Sequence, residues 1–100
     1  MTAATVSFGH GLAASPLHLA SAYATLANGG RKVTPTLVHG KTRPAGEQVV
    51  SEAAAKLSLA MLREVVVRGT ARSGNVEGYE IAGKTGTADK GQTGDLVVSF

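Results

Sequence analysis

One hundred residues with a formal charge of +3 and no cysteine describe at most one small domain. The missing cysteines exclude a disulfide framework, a thiolate metal site and a cysteine nucleophile. The ten Lys and Arg residues are scattered, only Arg31 and Lys32 adjoin, and no aromatic residue interleaves with them, so no nucleic-acid-binding stripe is present in the sequence.

Hydrophobic residues make up 43% of the chain, but aromatic residues only 4% and charged residues 17%. Alanine and glycine take their place, and small side chains bury little area each. A chain of this size hides roughly 60–65% of its unfolded surface. The expectation is a thin core, or a piece that packs on something else. Met1 to Gly30 carries no Asp, Glu, Lys or Arg, yet Ser7, His10, Ser15, Pro16, His18 and Asn28 interrupt it, so it does not read as a bilayer span. It has no basic start before an apolar stretch, so it does not read as a signal peptide either.

In chain order, residues 3–8 (AATVSF) form a short apolar run expected to be extended, followed by a Gly9-His10-Gly11 turn. A helix is predicted over 16–28. Ser15 is a good N-cap and Pro16 fits the first helical position, where no N–H partner is needed. Leu19, Ala22, Tyr23 and Leu26 share a face at helical spacing, and Asn28-Gly29-Gly30 ends the helix. Residues 33–38 (VTPTLV) read as a short extended segment, in which Pro35 argues against a central strand. Residues 39–48 are a polar loop.

A second helix starts near Ser51 and stops at Gly69. Ala54, Leu57, Met61 and Val65 form its expected apolar stripe, with Ala60 and Leu62 beside it and Arg63, Glu64 and Arg68 mostly elsewhere. Glu52 and Lys56 make a favourable pair one turn apart. Val65-Val66-Val67 weakens the last turn intrinsically, so packing must hold it. After a loop over 69–78, Tyr79 to Ala88 reads as extended, Asp89 to Gly94 as a turn and Leu96 to Phe100 as a second strand. The expected class is α+β: two helices plus an antiparallel β-hairpin. A two-stranded sheet is marginal alone, and the last strand is cut at the final residue, so residues 1–100 read as part of a larger domain.

Three glycine motifs compete for the chemistry. Gly9-His10-Gly11-Leu12-Ala13-Ala14 satisfies the dinucleotide pattern, but no acidic residue precedes Glu47, far beyond the position of a ribose ligand. Gly78 to Thr85 matches the phosphate-loop expression G-x-x-x-x-G-K-[ST], whose mechanism needs a helix opening at the lysine. The segment that would be that helix, TGTADKGQTG, is too rich in glycine. A nucleotide-binding module using Gly78 to Thr85 is the alternative reading. The third pattern, Lys84-Thr85-Gly86-Thr87, lies on an extended run before a hairpin. A strand edge there suits β-augmentation by a peptide. Gly86 would let another backbone approach, Lys84 would supply positive charge, and Thr85 and Thr87 would offer hydroxyls on a common side.

K-T-G is one of three motifs found together in penicillin-binding proteins and serine β-lactamases. With these residues assembled, the chain resembles the class B penicillin-binding proteins, the peptidoglycan transpeptidases of cell division and elongation. SFGHGLAASPLHLASAYATLANGG, VVSEAAAKLSLAMLREVVVRGTA, GYEIAGKTGTADK and LVVSF carry the resemblance in order and spacing. It implies a partial transpeptidase fold related to the serine β-lactamases. It also implies a serine D-Ala-D-Ala transpeptidase that cross-links stem peptides, binds β-lactams and needs no cofactor or metal. By the resemblance, Lys84 is the third-motif lysine, Thr85 and Thr87 bind the substrate carboxylate, Gly86 keeps the strand open, and the Thr87 backbone completes an oxyanion hole. The implied partners are stem peptides, β-lactams, the rest of the domain and membrane proteins of division or elongation. The implied location is the bacterial inner membrane, with the domain on its outer side.

Two departures bear on activity. No serine has a lysine three positions later, so the S-x-x-K nucleophile motif is missing from these residues and the chain alone is expected to be inactive. Ser73-Gly74-Asn75 fits S-x-N, but it stands just before the K-T-G run, whereas the family's second motif stands far upstream. Ser73 and Asn75 therefore read as ordinary loop residues, and His10, His18 and His39 as structural or exposed. A peptide-binding remnant without catalysis is a further alternative.

Overall fold

Ser15 and Pro16 start a helix as their chemistry requires: in the computed structural model, the Ser15 side chain accepts from the His18 N–H at 3.2 Å, and Pro16 occupies the first turn. The structure describes residues 2–7, 9, 12–40, 42 and 44–100. Its elements are α1 (Thr2–Val6), α2 (Pro16–Ala27), α3 (Glu52–Val67), a 3-10 turn (Arg72–Gly74), β1 (Gly86–Lys90) and β2 (Asp95–Ser99). The α+β class is as expected. The apolar run after Met1 is not extended: Thr2–Val6 is helical, closed by the Gly9 N–H on the Val6 carbonyl at 3.0 Å. Alanine is the best helix former, and Ala3 and Ala4 outweigh the β-branched neighbours. Phe8 and His10-Gly11, the middle of the dinucleotide-like pattern, lie outside the described residues.

The chain forms two units, Ala14–Met61 and Met1–Ala13 with Leu62–Phe100. In the first, α2 ends at Asn28, and Gly29 and Gly30 take positive φ. The Gly30 carbonyl then accepts from the N–H groups of Val49 and Val50, and Lys32 N–H donates to the Glu47 carbonyl at 2.8 Å. The segment after α2 is thereby laid against the segment before α3, with a single bridge at Arg31 and Gln48. Thr25 anchors this arrangement from the helix side. It is 7% exposed, donates to the Ser21 carbonyl at 2.7 Å and accepts from the Val33 N–H at 3.0 Å.

The buried faces differ from those the apolar spacing suggests. On α2 Thr25 is buried and Ser21, Ala24 and Leu26 are half-buried, while Leu19 and Tyr23 are exposed. On α3, Ala55 and Val66 are fully buried and Leu59 and Leu62 half-buried, while Leu57 and Met61 are exposed. Both helices are apolar on more than one side, so spacing alone does not select the side that is covered. Val66 sits in the middle of the valine run, and its complete burial supplies the packing that this last turn needs. Glu52 and Lys56 form the expected ion pair at 3.0 Å.

In the second unit, β1 and β2 pair antiparallel, from Gly86 opposite Ser99 to Lys90 opposite Asp95, around the turn Gly91 to Gly94. Thr93 braces the turn, its hydroxyl lying 3.0 Å from the Lys90 carbonyl and 2.9 Å from the Asp95 carboxylate. The strand begins later than expected. Only Gly86 and Thr87 of the K-T-G run are paired, and Lys84 and Thr85 precede the ladder. No helix follows Gly83, so the phosphate-loop alternative lacks the helix whose first turn would hold a phosphate.

Candidate functional site

The site is built from the end of α3 outward. Gly69 closes the helix, its N–H lying 3.1 Å from the carbonyls of both Glu64 and Val65. Ala71 N–H reaches the Val65 carbonyl at 3.2 Å, and Ala71 itself is 3% exposed. Thr70 stands between these two anchored residues. The chain turns through Arg72–Gly74 and then runs back along the last turns of α3.

Arg63 ties this returning segment down. Its Nη1 donates to the Ile81 carbonyl at 2.6 Å and to Asn75 Oδ1 at 3.1 Å. Gly83 N–H adds a backbone bond to the Leu62 carbonyl at 3.2 Å. These contacts deliver Lys84 and Thr85 to the end of α3. There the Thr85 hydroxyl meets the Thr70 hydroxyl at 3.0 Å. Lys84 Nζ lies 2.8 Å from the Thr85 carbonyl and 3.2 Å from Thr85 Oγ1. Lys84 is exposed and Thr85 half-buried.

A cavity of about 280 Å³ opens beside this group, lined by Thr70, Ala71, Ser73, Gly74, Thr85 and Phe100. Three lining residues carry hydroxyls, the Lys84 ammonium lies 3.2 Å from one of them, and Ala71 and Phe100 supply apolar surface. That combination accepts a ligand with an anionic oxygen group at one end and an apolar body behind it. Among the described residues no cluster of His, Asp or Glu could hold a metal ion.

The predicted site residues are divided by the fold. Thr85 lines the cavity, Lys84 reaches it only through its Nζ on Thr85 Oγ1, and Gly86 and Thr87 continue into β1, where Thr87 pairs with Val98. Gly86 lies against the paired strand. A Cβ there would come within 2.7 Å of Ser99 Oγ, the end of a side chain that can rotate away. Ser73, in the 3-10 turn, lines the cavity, and Asn75 accepts from Arg63. Sequence reasoning missed Thr70, Arg63 and Phe100. Thr70 had one local signal, the helix-ending Gly69 beside it, and nothing local marks Arg63 or Phe100. His18 is exposed as expected, its Nδ1 2.9 Å from Ser15 Oγ, and His39 is also exposed.

Residues 1–96 match the family described as the penicillin binding protein transpeptidase domain. The chain belongs to this family, on its class B side. It is 36% identical to stage V sporulation protein D of Bacillus subtilis, over 97% of this chain and 18% of that protein. It is 43% identical to a probable peptidoglycan D,D-transpeptidase FtsI of Caulobacter vibrioides, over 89% of this chain and 16% of that protein. Penicillin-binding protein PbpB of Mycolicibacterium smegmatis is 37% identical over 82% of this chain and 15% of its own length. The chain thus spans less than a fifth of the length of these relatives.

Proposed function

We propose that residues 1–100 are the K-T-G-bearing part of a serine peptidoglycan D,D-transpeptidase domain, and that they recognise the carboxylate end of a stem peptide or a β-lactam. The observation that carries this reading is Thr85 lining a cavity with the Lys84 ammonium on its hydroxyl, immediately before a strand, in a chain of the transpeptidase family. Lys84 holds positive charge at the entrance and orients the carboxylate. Thr85 and Thr87 donate hydroxyl hydrogen bonds to it. The edge of β1 not paired with β2 offers main-chain groups to an extended peptide, and the Thr87 backbone N–H completes an oxyanion hole.

The acyl-transfer nucleophile is not among these residues, because no S-x-x-K stands in the sequence. Turnover therefore requires the rest of the domain, which also supplies apolar cover for the exposed faces of α2 and α3. The parent enzyme works on the outer side of the bacterial cytoplasmic membrane with partners in division or elongation. No helix among the described residues is long and apolar enough to cross a membrane itself.

Labelling with a fluorescent penicillin tests the reading. The chain alone remains unlabelled, whereas the whole domain containing it is labelled, and Lys84→Ala in that domain reduces the labelling rate by two orders of magnitude or thereabouts, roughly the loss of one strong charge-stabilising contact. Stable labelling of the isolated chain, or an unaffected Lys84→Ala domain, contradicts it.

A further inference from the structure

We infer that Thr70 is a positioning residue that turns the Thr85 hydroxyl into a dedicated hydrogen-bond donor, and so makes the site selective for a carboxylate. The inference rests on the reading above that Lys84 to Thr87 face the ligand.

A hydroxyl has one proton to give and two lone pairs to receive with. Lys84 Nζ, which can only donate, lies 3.2 Å from Thr85 Oγ1 and takes one of those lone pairs. The Thr70 hydroxyl lies 3.0 Å away on another side. When Thr70 donates, the second lone pair is taken as well. The Thr85 proton then has one remaining use, which is donation to whatever occupies the cavity that both threonines line. A carboxylate oxygen, which only accepts, satisfies this arrangement. A ligand group offering N–H or O–H finds no lone pair free on Thr85 Oγ1.

Thr70 is held for this role by the main chain rather than by its own side chain. Gly69 and Ala71 on either side of it are hydrogen-bonded back to the last turn of α3. The main chain of Thr70 is thus fixed before ligand arrives, and only the restricted χ1 of a β-branched side chain is left to set. Nothing in the K-T-G motif contains this residue; it lies 15 positions earlier in the chain.

The test uses the whole transpeptidase domain containing this chain and compares acylation by benzylpenicillin with acylation by its methyl ester. Thr70→Val keeps the shape and removes the proton. The expected result is a loss of about five- to tenfold in the acylation rate for the acid, the scale of one hydrogen bond, with the ester, whose uncharged carbonyl accepts more weakly than a carboxylate, changed less than about twofold. Thr70→Ser restores the preference for the acid. Equal losses for acid and ester, or failure of Thr70→Ser to restore the ratio, overturn the inference and assign Thr70 a merely structural part. Thr70→Ala with an unchanged thermal midpoint guards against a folding defect. Thr85→Val separates the two levels. If it abolishes the acid preference while Thr70→Val does not, only the role of Thr70 is lost. If Thr85→Val has no effect either, the carboxylate reading of the motif is overturned with it.

Discussion

The ring of Phe100 rests on the backbone of Gly83: a Cβ at Gly83 would stand 2.7 Å from Phe100 Cζ. The same ring lies 3.7 Å from the position of a Cβ at Gly74. The residue that follows β2 is therefore seated on the glycine that precedes Lys84, and it forms a wall of the cavity. Two glycines and one aromatic ring close a loop in space between the 3-10 turn, the K-T-G approach and the end of the hairpin.

Gly83→Ala is expected to destabilise by about 1–3 kcal/mol, the usual cost of forcing a methyl group into an occupied place. Thermal or denaturant unfolding checks this. The obstacle is the end of a side chain, so Phe100→Ala should make room. In the double variant Gly83→Ala then costs much less than in the parent, a coupling that a double-mutant cycle measures directly. Additive losses would contradict the contact.

Thr25 provides a second, independent test in the other unit. Its Oγ1 bridges the Ser21 carbonyl and the Val33 N–H inside a nearly closed environment. Thr25→Val preserves volume but leaves the Val33 N–H without its acceptor. The expected loss is about 1–3 kcal/mol, the cost of an unsatisfied buried donor. Thr25→Ser keeps the hydroxyl and should retain most of the stability.

Element positions were legible in the sequence because local chemistry decides them. Ser15 and Pro16, Asn28 to Gly30, the Glu52–Lys56 pair and Gly69 each act within one helical turn of their own position. The turn from Gly91 to Gly94 is equally local. The covered face of each helix was not legible. α2 and α3 carry apolar residues on several sides, and contacts distant in sequence select among them. The same limit applies to the site. The tetrad Lys84 to Thr87 is contiguous and could be read, whereas Thr70, Ser73 and Phe100 reach Thr85 only through the return of the chain along α3. The helix at Thr2–Val6 was not legible because a short apolar run does not by itself separate a strand from a helix.

The two candidate stripes of α3 can be told apart by alanine substitution. Val66 is fully buried and Leu57 is 62% exposed. Val66→Ala should cost about 1–3 kcal/mol, since it opens a space in the core. Leu57→Ala in the isolated chain should stay within about 0.5 kcal/mol of the parent, as for other exposed positions. In the whole domain, where the exposed face is proposed to be covered, Leu57→Ala should become destabilising. Chemical denaturation of both variants in both contexts decides it.

Acid should loosen α3 through two carboxylates. The hydrogen bond from Lys56, aided by its charge, holds the Glu52 carboxyl below its ordinary value, and the hydrogen bond from Arg68 does the same for Glu64. A carboxyl whose folded value is depressed binds protons less readily than in the unfolded chain. Its contribution is therefore fully present above the unfolded value of about 4.3 and is lost as pH falls through the lower folded value. Helicity and unfolding midpoint should hold steady from neutral pH to near that point and then decline. Glu52→Gln and Glu64→Gln should each flatten the decline, and the double variant should flatten it further. Both pairs are solvent-exposed, so the effect is small and should shrink again at about 1 M salt, where screening reaches within about 3 Å. An acid transition of unchanged size in the double variant would assign it to other carboxylates of the chain.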